Sequence, residues 1–401
     1  MTTVSSHAGP ITVPIDPFED CFLADPYTRH AQLREAGPVL WLPSIGAYAF
    51  ARHAEVSEAL ANSDVFISSR GVGLADFARE EPWRPPSLLL ETDPPVHDRT
   101  RRLMNRIVAL PVLKRLRPMW TERADRLVDS LVAKRRFDAV IELAEIYPML
   151  VFPDTIGLPV EGREHLLRYA AATFNAFGPR NALTERAIGE AADAFAWVAE
   201  ACRRRSLVPS GWGMAVYDAA DRGDCTEAEA ERLVRSFLAA GIDTTVNGIG
   251  NMVNAFVNFP GEWDKLRALP SLSKKAFEES LRWDSTVQTF FRTTACDFEM
   301  AGTTIPEGSK VLLFLAAANR DPRRWPDAER FDIDRTASGH VGFGFGIHQC
   351  LGQMVARMEA EVVLQAMIPR IKAMRLVGEP VRRLNNTLHA LASLPVEVEA
   401  A

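Results

Sequence analysis

Cys350 stands in the segment Gly342-Phe343-Gly344-Phe345-Gly346-Ile347-His348-Gln349-Cys350-Leu351-Gly352, and a helical pattern follows from Gln353 to Met367. Glycines at alternate positions allow a tight loop with N–H groups turned inward. The helix beginning just beyond places its positive end near the sulfur and favours a thiolate. The segment therefore suits a cysteine that must stay negatively charged. A buried structural cysteine after a glycine turn accounts for the cysteine but not for the whole eleven-residue pattern. A second chemical signal is Ala240-Gly241-Ile242-Asp243-Thr244-Thr245 inside an apolar helical run. A carboxylate beside a hydroxyl can deliver protons to a reacting atom without flooding a site with water. Glu279 and Arg282 lie at i and i+3 on one helix face, where they can ion-pair. His97 and Arg101 lie at i and i+4 on another.

The elements that must position these residues are mainly helical. Thr226 followed by Glu229 is a capping-box signature, and the next strong stop is Pro260. Between them the pattern predicts one central helix, Glu227 to Phe259, about 50 Å long at roughly 1.5 Å per residue. Gly241, Gly248 and Gly250 weaken it and so need a reason. Further helices are predicted at Tyr27–Ala36, His97–Ala109, Pro118–Ala133, Ala182–Arg204, Ser273–Asp284 and Leu351–Ile368. Short strands are predicted around Pro38–Leu42, Ala47–Ala51, Phe298–Met300 and Lys310–Phe314. The fold class is mainly α with small peripheral β-sheets. No domain boundary is visible, so residues 1–401 read as one domain whose first 14 residues, small and polar with Gly9, Pro10 and Pro14, form a flexible arm.

The 401 residues are 47% apolar and 24% charged, enough for a large buried core. The net charge of −6 excludes a global basic field for nucleic acid or anionic lipid. No apolar run approaches the roughly 20 residues of a membrane span, and the N-terminus lacks signal-peptide grammar. The expectation is a cytoplasmic monomer that binds neither membrane nor nucleic acid. Five scattered cysteines without a C-x-x-C pair argue against a disulfide framework or a zinc site.

The Cys350 segment resembles the haem-ligand loop of the cytochrome P-450 superfamily of haem-thiolate monooxygenases. That resemblance implies a triangular α-rich prism, with haem b between the long central helix and the cysteine loop. Cys350 is then the axial ligand of iron, whose thiolate favours O–O cleavage. Phe343 packs against the ligand and His348 faces a propionate. Ala240 and Gly241 lie against the distal face, and Asp243 and Thr244 relay protons to bound dioxygen. Glu279 and Arg282 match the superfamily's E-x-x-R pair, with Arg335 as third member, and their role is structural. His97, Arg101 and Arg292 supply cations for the propionates. Asn319-Arg320-Asp321-Pro322 is a further recurrent segment. Leu110-Pro111 departs from the pattern, since Ser or Thr before that proline is usual.

A narrower resemblance joins Pro82 to Leu88, Phe174 to Pro179 and Val234 to Phe237 to the bacterial enzymes that demethylate 4-methoxybenzoate. It implies that Arg84, Ser87 and Ser236 hold a substrate carboxylate, with Leu90, Phe174, Phe177 and Phe290 as walls for a flat ring. Ser236 precedes Ala240 and Thr244 by one and two helical turns, so the three share a stripe. The expected activity is hydroxylation or oxidative O-demethylation of a para-substituted benzoic acid. Another small aromatic or heteroaromatic carboxylic acid, or a peroxide-driven haem-thiolate enzyme, remain alternatives. No flavin or nicotinamide fingerprint is present, so electrons must come from outside, from an iron–sulfur ferredoxin served by a flavin-dependent ferredoxin reductase. From His97 to Arg117 seven Lys and Arg face only Asp98, a basic island suited to an acidic partner.

Overall fold

The structure is a computed structural model that describes residues 9–401. Helices dominate, and the sheets are small and peripheral, as expected. The largest sheet runs in the order Ile11–Thr12, Leu40–Leu42, Ala47–Phe50, Lys310–Phe314, Thr289–Thr294, Phe66–Ile67. The expected arm, residues 1–14, lies partly outside the described residues. Within it, Ile11 and Thr12 pair in parallel with Leu40 and Trp41, so the chain is anchored from residue 11. A second sheet joins Ile371–Leu376, Pro395–Ala400 and Arg136–Asp138.

Most expected helices are present with ends shifted by one or two residues, and three depart further. The central helix is two helices, Glu227–Ala240 and Asp243–Asn258. Its start is the expected capping box: Thr226 Oγ1 accepts from Glu229 N at 3.2 Å, and Glu229 Oε2 accepts from Thr226 N at 2.9 Å. The break falls at Gly241, where a Cβ would stand 2.4 Å from the Phe152 ring. Phe152 thus presses against a backbone that only glycine leaves open. The Thr244 hydroxyl donates to the Ala240 carbonyl at 2.6 Å and that of Thr245 to Gly241 at 3.2 Å, covering acceptors at the break.

The helix expected to start at Pro118 starts at Leu110 and runs to Lys134. Pro111 takes the first-turn position, where its missing N–H costs nothing, and Pro118 lies inside. The run Ala182–Arg204 is two helices, Ala182–Glu190 and Ala192–Ala201, separated at Ala191. Thr289–Thr294 was not anticipated as a strand. Five of its six residues are buried, so it lacks the alternation that marks a half-buried strand.

The largest apolar cluster packs the central helices against Leu110–Lys134, Ile146–Ile156, Ser273–Trp283 and Gln353–Met367. Glu279 and Arg282 are fully buried within this frame. Arg282 Nε lies 2.7 Å from Glu279 Oε2 and its Nη2 2.8 Å from Oε1. Arg335 Nε reaches Glu279 Oε1 at 3.1 Å, which brings the expected triad together. Arg282 Nη1 donates to the Asn319 carbonyl at 3.0 Å, and Asn319 Oδ1 accepts from Val341 N at 2.7 Å. The buried pair is therefore tied to the start of the cysteine loop.

Glu359, in the helix behind Cys350, is fully buried and neither carboxylate oxygen has a partner. Burial pushes its carboxyl up to about 8 from an ordinary 4.5. The folded state keeps a proton that the unfolded state has lost, so stability falls as pH rises from about 4.5 to 8. Glu359→Gln should therefore raise the melting temperature several degrees more at pH 8 than at pH 5. Thermal unfolding at the two pH values checks this, and equal shifts at both would contradict it.

Candidate active site

One cavity is walled by both central helices, the cysteine loop, residues 84–90 and the segment 286–292. Ala240, Gly241 and Thr244 face it from the central helices, and Phe343, His348 and Cys350 from the loop. Gly344 and Gly346 hold φ of +69° and +72°, the left-handed region the alternate glycines promised. A Cβ on Gly346 would meet the Leu60 carbonyl at 2.4 Å. Cys350 N donates to the Phe343 carbonyl at 2.8 Å and closes the loop. Burial pushes the Cys350 thiol up, while the N–H groups of Gly352 and Gln353 and the charges of Arg101 and Arg357 oppose it. Arg357 also stacks over the Phe343 ring at 4.6 Å.

Among the described residues, two of the cations expected around this loop, Arg101 and Arg292, have no ion-pair partner, whereas His97 lies beside Asp98 and His348 Nε2 stands 3.9 Å from Asp93 Oδ1. Arg292 is 4% exposed and lines the cavity, and its Nη1 donates to the Phe291 carbonyl at 2.8 Å. Burial pulls its pKa down to about 10. Among the described residues Arg101, which also lines the cavity, has no ion-pair partner. The His97 and His348 rings lie 4.4 Å apart, and the Nε2 atoms of both are buried without a hydrogen-bond partner. Nδ1 of His348 pairs with the Leu89 carbonyl at 3.1 Å, and that of His97 with Asp98 at 3.3 Å.

Asp243 is the first residue of the second central helix and is 1% exposed. It lies behind the cavity wall, whereas its neighbour Thr244 lines the cavity. Its Oδ1 accepts from Asn247 Nδ2 at 3.1 Å and Arg383 Nη2 at 3.0 Å, and Oδ2 has no partner. Burial raises its pKa, against the pull of Arg383 and Asn247.

Arg84, Ser87 and Ser236 all line the cavity, with Leu90, Phe174, Phe177 and Phe290. Phe174 and Phe177 meet edge to face at 5.7 Å, and Phe177 meets Phe290 at 5.7 Å. Ser236 shares its wall with Ala240 and Thr244, as its spacing requires, and its hydroxyl donates to the Arg232 carbonyl at 3.1 Å. Arg84 pairs with Glu91 at 2.9 Å and lies 5.5 Å from the Trp83 ring centroid. Two further guanidiniums, Arg232 and Arg235, line the same region. Arg235 pairs with Glu231 at 3.0 Å; Arg232 has no carboxylate partner and its Nε is buried without one. Arg232 stands one turn before Ser236, so helical spacing could have found it; Glu91 carries no such signal.

The Cytochrome P450 family profile matches residues 256–396. Over the full chain, and 98% of the relative, the sequence is 52% identical to "Cytochrome p450 CYP199A2" of Rhodopseudomonas palustris. The chain is a cytochrome P450. It is also 33% identical to a "Vitamin D(3) 25-hydroxylase" of Pseudonocardia autotrophica, covering 95% of this chain and 96% of that one. Among solved structures, the P450 CYP109Q5 of Chondromyces apiculatus superposes with a TM-score of 0.81 at 31% identity, over 98% of this chain and 99% of that one.

As a P450 monooxygenase the protein uses haem, dioxygen and electrons from redox partners, and no helix among the described residues is long and apolar enough to cross a membrane. The residues present fit the haem. Cys350 and Phe343 offer a sulfur and a ring, and the break at Gly241 opens the wall across the cavity. Arg101, Arg292 and two buried imidazole Nε2 atoms without a hydrogen bond, that of His348 3.9 Å from Asp93 Oδ1, are donors suited to two carboxylates in a buried site.

Proposed function

We propose that this P450 oxidises a small aromatic carboxylic acid, a para-substituted benzoate such as 4-methoxybenzoate, by hydroxylation or O-demethylation. The observation that carries the reading is the charge at the ring-lined end of the cavity. Arg84, Arg232 and Arg235 gather there with the Ser87 and Ser236 hydroxyls, and among the described residues they form ion pairs only with Glu91 and Glu231. A cationic excess in an aromatic pocket selects an anion with a flat apolar body. The narrower sequence resemblance points to the same acid.

Residues 1–401 act in this reading as one haem domain. Cys350 would supply the thiolate that holds the haem iron, and His97, Arg101, Arg292 and His348 would hold the propionates. When bound, haem activates dioxygen and directs one oxygen atom to the substrate. Arg84 and Ser87 fix the carboxylate, joined by Ser236 once its hydroxyl turns from the Arg232 carbonyl, which aims the para substituent along the stripe leading to Thr244. Asp243 holds a proton readily because burial favours its neutral form, and the Thr244 hydroxyl carries protons into the cavity. Electrons come from a ferredoxin and its flavin reductase. The basic island is smaller than its sequence suggests. Arg99, Arg106 and Arg117 pair with Glu229, Asp224 and Glu361, and Arg101 turns inward. Arg102, Lys114 and Arg115 stay exposed for an acidic partner.

Thr244→Ala should leave substrate affinity nearly unchanged while diverting NADH-derived electrons to peroxide. Measuring product and peroxide per NADH checks this, and unchanged coupling would remove Thr244 from proton delivery. For the substrate, the low-to-high-spin shift of the haem spectrum reports binding. Charge-assisted hydrogen bonds contribute about 1.5–3 kcal/mol each. Arg84→Ala should therefore weaken 4-methoxybenzoate at least roughly tenfold, and weaken 4-methoxybenzamide far less. Acid and amide binding equally well to the unaltered protein would overturn the carboxylate reading.

A further inference from the structure

We propose that Glu91 is a positioning residue for substrate recognition, orienting Arg84 and Ser87 from behind so that their free donors face the substrate carboxylate. The proposal rests on the carboxylate reading above. Glu91 is buried, with a side chain only 2% exposed, and is not among the residues that line the cavity. A single oxygen, Oε2, accepts from Arg84 Nη1 at 2.9 Å and from Ser87 N at 2.7 Å. One carboxylate thus fixes two of the three groups assigned to the substrate.

The donors left over have a definite arrangement. Arg84 Nη1 is occupied, since it also donates to the Pro85 carbonyl at 3.1 Å. Nε is buried without a partner, and among the described residues Nη2 has none either. Nη2 is therefore the donor left for an incoming carboxylate, while Nε is covered by protein and stays without a hydrogen bond. The Trp83 and Phe177 ring centroids, 5.5 and 5.8 Å from Cζ, limit how the guanidinium can turn. Ser87 Oγ accepts from Leu89 N at 3.3 Å and Leu90 N at 3.2 Å, which leaves its O–H proton to donate. Without Glu91, Arg84 has no internal carboxylate and can swing toward any acceptor, including the substrate in other poses.

Glu91 also places a negative charge one guanidinium away from the incoming acid, so it orients at some cost in affinity. Two substitutions separate these effects. Glu91→Gln removes the charge but keeps an oxygen for Arg84 Nη1 and Ser87 N. Glu91→Ala removes both. Spin-shift titrations of each holoprotein with 4-methoxybenzoate and 4-methoxybenzamide give an acid preference, the ratio of the amide Kd to the acid Kd. Glu91→Gln should match or exceed the unaltered protein in that ratio, and Glu91→Ala should fall about tenfold below Glu91→Gln, the worth of one charge-assisted pair. A general loosening of the pocket moves acid and amide together and leaves the ratio unchanged. If the unaltered protein prefers the acid but the two variants share one ratio, Glu91 does not position Arg84. If the unaltered protein shows no acid preference, the carboxylate reading itself is lost, and this proposal with it.

Discussion

Desolvation opposes negative charge on the Cys350 sulfur, and the loop and cavity around it are arranged about that constraint. Burial raises the Cys350 thiol, and the opposing helix-start N–H groups and nearby Arg101 and Arg357 do not by themselves reverse the direction. Haem iron held there would reverse it, because a coordinating thiol is deprotonated outright. The loop that presents the sulfur is held by Gly344 and Gly346 in conformations other residues strain to adopt. Its start is tied through Asn319 to the buried Glu279–Arg282 pair. That pair is costly to bury, and its expense is met by the hydrogen bonds that Arg335, Asn319 and Asp332 complete around it.

The same logic extends through the cavity. Among the described residues, buried Arg292 and half-buried Arg101 and Arg232 have no ion-pair partner, and the imidazoles of His97 and His348 each keep a buried Nε2 without a hydrogen bond, that of His348 3.9 Å from Asp93 Oδ1. Buried cations without counter-ions are unfavourable unless a ligand supplies the charge. In the proposed reading, haem propionates would answer Arg101, Arg292 and the two imidazoles, and the substrate acid would answer Arg232. Specificity in this account comes from a deficit of negative charge, which Glu91 and Glu231 trim without cancelling. Asp243 follows the opposite rule. It is a buried acid whose neutral form is favoured, held by Arg383 and Asn247 beside the helix break where Thr244 enters the cavity.

What could be read beforehand and what could not divides by range. The Thr226 cap, the Glu279–Arg282 pair and the shared stripe of Ser236, Ala240 and Thr244 depend on neighbours within one or two helical turns, and each follows from spacing. The break of the central helix depends on Phe152, far away in sequence, so the glycines alone could not locate it. Thr289–Thr294 escaped notice because a strand buried on both faces has no period-two pattern. Glu91 was invisible for a similar reason, since only the path of residues 84–91 brings its carboxylate behind Arg84. Pro118 misled because proline marks a helix start at one position and is tolerated inside at another, and Pro111 had already taken the first.

The proposed haem site depends most directly on Cys350 being the thiolate ligand. The reduced protein under carbon monoxide reports this without reference to substrate or electron donor. The unaltered protein should show the strongly red-shifted Soret band of a thiolate-ligated haem, and Cys350→His should lose that band while still binding haem. A histidine-type carbon-monoxide spectrum in the unaltered protein, or a red-shifted band that survives Cys350→His, would contradict the assignment on which the rest of the site is built.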